Sequence, residues 1–208
     1  MAIITQRLRK VTAVAIVLAI AGPVLALATF ALLQPSGARA EAEEYAVYSA
    51  YIRNGLTGRS HSLGSPRGTI LILSHTTMSD TVEPKDWRAE FGAVVIARRD
   101  LRESFRGLSR WAVYDFILKN LFRKELSNHF DIPAHSVLLP AIGLEDARVF
   151  PDSYGHLTFS RIGFNRNLTE AVFYTEHLCG LCGAGQYVYM RKINGRWTVP
   201  LTRGTWVS

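Results

Sequence analysis

The C-terminal part of this chain alternates between apolar and polar side chains, and this alternation constrains the fold more than any other feature of the sequence. The alternating runs are residues 156–164, 170–177, 186–193 and 196–199. A period of two residues is typical of β-strands that bury one face. Asn194-Gly195 separates the last two runs, and both residues tolerate the positive φ angles of a two-residue hairpin turn. With a further turn at 165–168, the sequence predicts an antiparallel β-meander.

Upstream segments predict elements that cover this sheet. Residues 41–54 predict a helix that ends near Gly55, with three glutamates in its first turn, where carboxylates favour the helix dipole. Its apolar stripe consists of Tyr45, Tyr48, Tyr51 and Ile52. Residues 68–75 are rich in apolar and β-branched side chains and predict a buried strand.

Within residues 41–208, the segment 109–126 has the strongest helical pattern. Ser109 is a predicted N-cap, and Asp115 precedes Lys119 by about one helical turn. The residues predicted to face the core are Trp111, Tyr114, Leu118, Leu121 and Phe122. We therefore predict an α+β fold, in which an antiparallel β-meander sheet packs against both helices on one of its sides.

The first 40 residues predict an export signal. Arg7, Arg9 and Lys10 precede an uncharged, largely apolar run over residues 11–33, and Ala38-Arg39-Ala40 has the small-x-small form of a signal peptidase site. The run also reaches the roughly 20 residues that cross a bilayer, so an uncleaved anchor is an alternative. We predict a signal peptide or signal-anchor over 1–40 and a single exported domain over 41–208. That domain would be periplasmic, or anchored to the inner membrane and outside the cytoplasm.

Removing this leader changes the meaning of the net charge. The whole chain carries 24 Lys and Arg against 17 Asp and Glu, a net charge of +7. Residues 1–40 hold four of the basic and none of the acidic residues, so residues 41–208 carry +3. So small an excess, without a concentrated basic face, argues against a nucleic-acid partner.

Cys179 and Cys182 lie in a glycine-rich loop between two predicted strands. A redox Cys-x-x-Cys pair normally stands where a strand leads into a helix, whose positive end stabilises the thiolate. We therefore predict a structural disulfide that fixes the loop, as an exported chain permits. Two alternatives stay open: a redox pair, and a metal site in which His177 joins the two cysteines.

His129, Asp131 and His135 form a second group of ligand-type side chains. Their spacing would suit a metal or catalytic site, but Pro133 between them favours a rigid surface loop. No P-loop, dinucleotide fingerprint, nucleophile elbow or zinc-binding helix motif is present.

A row of arginines recurs at four-residue spacing. It consists of Arg98, Arg102, Arg106 and Arg110. On one helix face these side chains could bind an anion. Gly107 is expected to interrupt the row, and we favour the interpretation that it is a solvated face.

The C-terminal strands resemble those of a known family. The segments that carry the resemblance are Leu157–Asn165, Glu170–Thr175, Cys179–Gly185, Tyr187–Tyr189, Asn194–Trp197 and Trp206–Ser208. They are similar to the ending of a family of uncharacterised exported bacterial proteins, which share the pattern SRxGFN, GxGxYxxLxK, GxW and WxS. The resemblance implies bacterial export and a common fold, and it implies no catalytic residue. Residues 198–205 depart from the family pattern.

Taken with the missing catalytic motifs, the export signal favours a non-enzymatic cell-envelope protein that binds a small-molecule or protein partner. No cofactor and no catalytic residue is expected, and the sequence names no ligand-binding residue. The membrane would be a further partner through residues 11–33 if the leader is retained. One alternative is a metal-dependent or hydrolytic enzyme that uses the His177 or the His129 group. The other is a thiol redox protein.

Overall fold

The computed structural model describes residues 37–58, 68–77, 101–141, 149–179 and 182–208. The helices of this part are α1 (Gly37–Gly58) and α2 (Arg110–Lys119). The strands are β1 (Thr69–Leu73), β2 (Ser136–Leu139), β3 (Ser153–Phe159), β4 (Gly163–Phe164), β5 (Glu170–Leu178), β6 (Gly183–Ile193) and β7 (Arg196–Val207). Residues 101–104 are also helical.

The strands form a mixed sheet in the spatial order β2-β1-β3-β5-β6-β7, with β4 also paired to β5. From β3 to β7 the neighbours are antiparallel, as the alternation predicts. β1 is instead parallel to both β2 and β3. The α+β arrangement therefore holds, but the prediction of a wholly antiparallel sheet is wrong at this edge. Parallel strands need cover on both faces, and β1 is accordingly buried from Ile70 to Leu73.

The predicted turns of the meander are confirmed. Asn194 and Gly195 have φ angles of 49° and 77° between β6 and β7. Leu168, at φ 55°, donates its N–H to the carbonyl of Asn165 at 3.1 Å. β7 extends well beyond the predicted run and passes through Pro200. An edge strand tolerates proline because one of its two hydrogen-bonding sides is not paired.

The two helices lie on opposite faces of the sheet. Since successive strand residues point to opposite sides, β5 and β6 each contribute to two separate clusters. Residues Ala171, Phe173, Val188 and Met190 pack with α1 on what we call the α1 face. Residues Val172, Tyr174, Tyr187 and Tyr189 pack with α2 on the α2 face. The prediction that both helices pack on one side is therefore wrong.

α1 buries its predicted tyrosine stripe but extends further than predicted. Tyr48 is fully buried against Phe159 and Phe173, and its hydroxyl donates to the carbonyl of Ser160 at 2.8 Å. The helix passes through Gly55 and is already helical at Gly37. The three glutamates are consequently not in its first turn, so their predicted role at the helix dipole is wrong.

α2 begins as predicted but turns a different side toward the sheet. The Ser109 hydroxyl accepts the N–H of Trp111 at 3.2 Å, which confirms the N-cap. The buried residues are Ala112, Val113, Asp115 and Phe116. Tyr114, Leu121 and Phe122, predicted to be in the core, are exposed. The helix ends at Lys119, so Leu121 and Phe122 lie in the turn beyond it.

The leader prediction falls outside the described residues, because the apolar run 11–33 is not among them. Neither α1 nor α2 combines the length with the hydropathy that a membrane span requires. Arg98, the first member of the arginine row, also lies outside the described residues.

Candidate functional site

The Cys179–Cys182 disulfide is present and closes the loop between β5 and β6. The Cys179 N–H donates to the Cys182 carbonyl at 2.8 Å, so a backbone hydrogen bond and the disulfide both hold the loop closed. Among the described elements, the pair lies between strand β5 and strand β6 and not between a strand and a helix, which is the position that a redox pair normally takes. The predicted disulfide between Cys179 and Cys182 is confirmed.

His177 lies two residues before this disulfide, near the end of β5. It is paired across the sheet with Leu157 and Ala184 and is half-buried. Its two cysteine neighbours are joined to each other, so neither offers the thiolate that a zinc site would need. The structure therefore gives the predicted His177 metal set no additional support.

His129, Asp131 and His135 are exposed side chains of the segment before β2. The His129 ring contacts Tyr45 edge-on, with the ring centroids 5.2 Å apart. The Asp131 carboxylate forms an ion pair with Arg53 at 2.7 Å. Within the described residues, no group of three or more His, Cys, Asp or Glu side chains is arranged to hold a metal ion.

A buried ion-pair network joins α1 to α2. Glu44, only 3% exposed, lies 2.9 Å from the Lys124 ammonium and 3.6 Å from that of Lys119. Lys119 also pairs with Asp115 at 2.8 Å, and Asp115 accepts the buried N–H of Phe164 at 2.8 Å. Burial lowers the pKa of Lys124, but its hydrogen bonds to Glu44 and Glu41 outweigh this and raise the pKa overall. The anions and cations satisfy one another, so this network holds the fold together.

A second polar cluster lies on the α2 face, near the end of β7. The Tyr174 hydroxyl donates to the buried carboxylate of Glu176 at 2.7 Å and accepts the indole N–H of Trp206 at 2.9 Å. Burial raises the pKa of Tyr174 well above its usual range. Burial, together with the nearby Glu170 carboxylate, raises the pKa of Tyr189 to about 12. Both hydroxyls donate hydrogen bonds to carboxylates, that of Tyr174 to Glu176 and that of Tyr189 to Glu170.

A small cavity opens where residues 101–104 turn into α2. Its volume is about 140 Å³, and its described lining residues are Arg102, Phe105, Arg106, Gly107, Leu108, Arg110, Val113 and Tyr114. Gly107, at φ 93°, makes the turn between the two helical segments. The turn places three arginines around one opening, instead of along one helix.

Three of the residues that line this cavity are arginines, so its lining is positively charged. Arg102, Arg106 and Arg110 are exposed, and none forms an ion pair with another described residue. Arginine presents a rigid fork of N–H donors that matches carboxylate and phosphate oxygens. The volume is below the roughly 300–1,000 Å³ of a drug-sized pocket, so it suits one anionic group.

Sequence reasoning detected this site only in part. The four-residue spacing singled out the arginines, and the expected interruption at Gly107 is confirmed. The interruption argued against an anion-binding row of arginines on one helix face. In the structure, the same turn brings Arg102, Arg106 and Arg110 to one cavity. Phe105 and Tyr114, which also line the cavity, gave no signal because aromatic residues near a helix are equally typical of a core.

No protein-family model, no curated protein and no solved structure gives a significant match to this chain. A function for the chain must therefore be argued from its own side chains.

Proposed function

We propose that this chain is an exported cell-envelope protein that binds an anionic ligand, without catalysis, at the arginine cavity between residues 101–104 and α2. The observation that carries the proposal is the convergence of Arg102, Arg106 and Arg110 on one opening of about 140 Å³. None of the three forms an ion pair with another described residue, so a bound anion would supply the opposite charge that their guanidinium groups lack there.

Export is supported by two independent features. The sequence carries a basic flank, the apolar run 11–33 and a small-x-small site. The chain's two cysteines are joined in a disulfide, which is compatible with an oxidising compartment. Membership in the exported bacterial family that the C-terminal strands resemble is part of this proposal. N-terminal sequencing of the exported protein distinguishes cleavage after Ala40 from a retained anchor.

The binding proposal is tested by titrating the full chain with inorganic phosphate and with glycerol 3-phosphate in an isothermal titration calorimeter. We expect saturable binding by the wild type. Arg106→Ala is expected to weaken it by about 10- to 100-fold, because a charge-assisted hydrogen bond contributes about 1.5–3 kcal/mol. Circular dichroism checks that the variant is folded.

The matched control is Arg196→Ala, which removes an exposed arginine at the start of β7. This variant has the same change in net charge and should bind like the wild type. Absence of saturable binding by the wild type contradicts the proposal. Equal losses in Arg106→Ala and Arg196→Ala would also contradict it, because they would reduce the effect to overall charge.

A further inference from the structure

The exposed side of α2 and the turn that follows it carry several apolar side chains. Tyr114 is 43% exposed, Leu121 38% and Phe122 71%. Arg110, Tyr114 and Leu118 are four residues apart and share one helix side. Leu121 and Phe122 continue from its C-terminal end. We call the set Tyr114, Leu118, Leu121 and Phe122 the α2 outer surface.

The α2 outer surface adjoins the arginine cavity, because Tyr114 belongs to both. A further arginine lies beside this region: the guanidinium of Arg166 stacks over the Trp111 ring at 3.7 Å from its centroid. The exposed apolar side chains are thus bordered by cations at the cavity and at Trp111. Glu103 is the nearby acidic residue in the same helical stretch as Arg102.

Apolar side chains beside arginines match the two chemistries of an anionic bilayer surface. Aromatic and aliphatic groups enter the boundary between headgroups and acyl chains, while arginines bind the phosphates. Each basic residue near such a surface increases the partition coefficient of a protein onto the bilayer about fivefold. A water-soluble anion would use the cavity but would leave Phe122 uncovered. The exposed apolar side chains beside the arginines therefore favour a lipid over a free anion.

We propose that the anionic ligand of the arginine cavity is a phospholipid headgroup, and that the α2 outer surface docks on an anionic bilayer. This inference rests on the proposed function, since it names the source of the bound anion. It places Phe122 in the interfacial layer and the α1 face of the sheet toward water. Retention of the segment 11–33 as an anchor would add a second attachment to the same bilayer.

The test uses the full chain in nanodiscs made with lipids brominated on their acyl chains, which quench tryptophan on contact. Phe122→Trp is the reporter, and its exposure makes the substitution structurally mild. Val207→Trp is the matched control, because Val207 is 82% exposed and pairs with Ala184 on the α1 side of β6. Wild-type emission is subtracted to remove the signal of the native tryptophans.

We expect brominated phosphatidylglycerol to quench the Phe122→Trp signal and to leave the Val207→Trp signal unquenched. Brominated phosphatidylcholine should quench Phe122→Trp much less. When Arg106→Ala is combined with Phe122→Trp, about five times more phosphatidylglycerol should be needed for half-maximal quenching. A tether alone would give equal quenching at both positions, and that result overturns the inference.

The outcomes separate this inference from the proposed function. Phosphate binding without selective quenching of Phe122→Trp overturns the lipid source and keeps the anion site. Another outcome combines selective quenching that Arg106→Ala leaves unchanged with a lack of phosphate binding. It would overturn both the anion site at the cavity and its occupation by a lipid headgroup. A concentration-dependent blue shift of Phe122→Trp without lipid would show a second copy on this surface and would also overturn the inference.

Discussion

Gly185 is a residue whose missing side chain makes room for a hydrogen-bonded cluster. A Cβ atom at this position would collide with the Tyr174 hydroxyl and the Trp206 indole nitrogen. These are the atoms that surround the Glu176 carboxylate. The glycine therefore lets the end of β7 close over a buried charge.

Replacing Gly185 with alanine should destabilise the protein by about 1–3 kcal/mol, the usual cost of inserting a methyl group into a packed site. The strain falls on Tyr174 and Trp206, so near-ultraviolet circular dichroism should change as well. Gly204→Ala is the control, because a Cβ at Gly204 meets nothing within 4 Å on the same strand pair. Urea unfolding of both variants measures the difference, and equal costs would contradict this explanation.

Tyr48 leads to a prediction with opposite signs at neutral and alkaline pH. Burial raises the pKa of its hydroxyl well above 10. Above pH 10 the unfolded chain loses this proton while the folded chain keeps it, so stability falls as the pH rises. Tyr48→Phe should be less stable at neutral pH, because the Ser160 carbonyl loses its donor.

The same variant should lose less stability between pH 10 and pH 12, since one perturbed group no longer titrates. Urea unfolding at several pH values measures the slope. The raised pKa of Lys124 acts in the same direction and is unchanged in the variant. A slope identical to that of the wild type would show that Tyr48 does not contribute.

At the scale of elements, α2 shows why helical spacing chose the wrong side. Apolar residues surround much of the helix: Trp111, Ala112, Val113, Tyr114, Phe116, Ile117 and Leu118. Periodicity cannot choose among them. Gly163 decides, because a Cβ there would collide with the Ala112 carbonyl and the Phe116 backbone. The glycine allows β4 to approach the smaller side of the helix and leaves Tyr114 outside.

α1 is joined to α2 mainly through Glu44, which is nearly fully buried. Glu44→Gln should cost about 1–3 kcal/mol, because Lys119 and Lys124 would lose their shared buried anion while keeping Asp115 and Glu41 as partners. Glu41→Gln is the matched control on the same helix, since Glu41 also pairs with Lys124 but its side chain is 51% exposed. Water screens an exposed pair, so the Glu41 variant should lose much less stability. Thermal unfolding distinguishes the two variants, and equal losses would contradict the assigned role of burial.

At the scale of the whole molecule, the sheet divides the described part of the chain into two apolar clusters with different neighbours. The α1 face is densely aromatic around Tyr48, Phe159 and Phe173. The α2 face holds the tyrosine hydroxyls and carboxylates. The arginines of the cavity and the exposed apolar residues lie on α2 and on the segments just before and after it. Binding is therefore proposed at α2, and the α1 side is assigned to stability.

Features that depend on neighbouring residues follow from the amino-acid sequence alone. The β5, β6 and β7 strands, the Asn194-Gly195 turn, the Ser109 cap and the Cys179–Cys182 disulfide each arise from a few adjacent side chains. Contacts between residues far apart in the chain set the parallel pairing of β1 and the opposite placement of the helices, and there one missing Cβ at Gly163 selects among arrangements that the local pattern leaves equivalent. The gathering of the arginines depends on the three-dimensional path of the turn at Gly107, which the four-residue spacing does not specify.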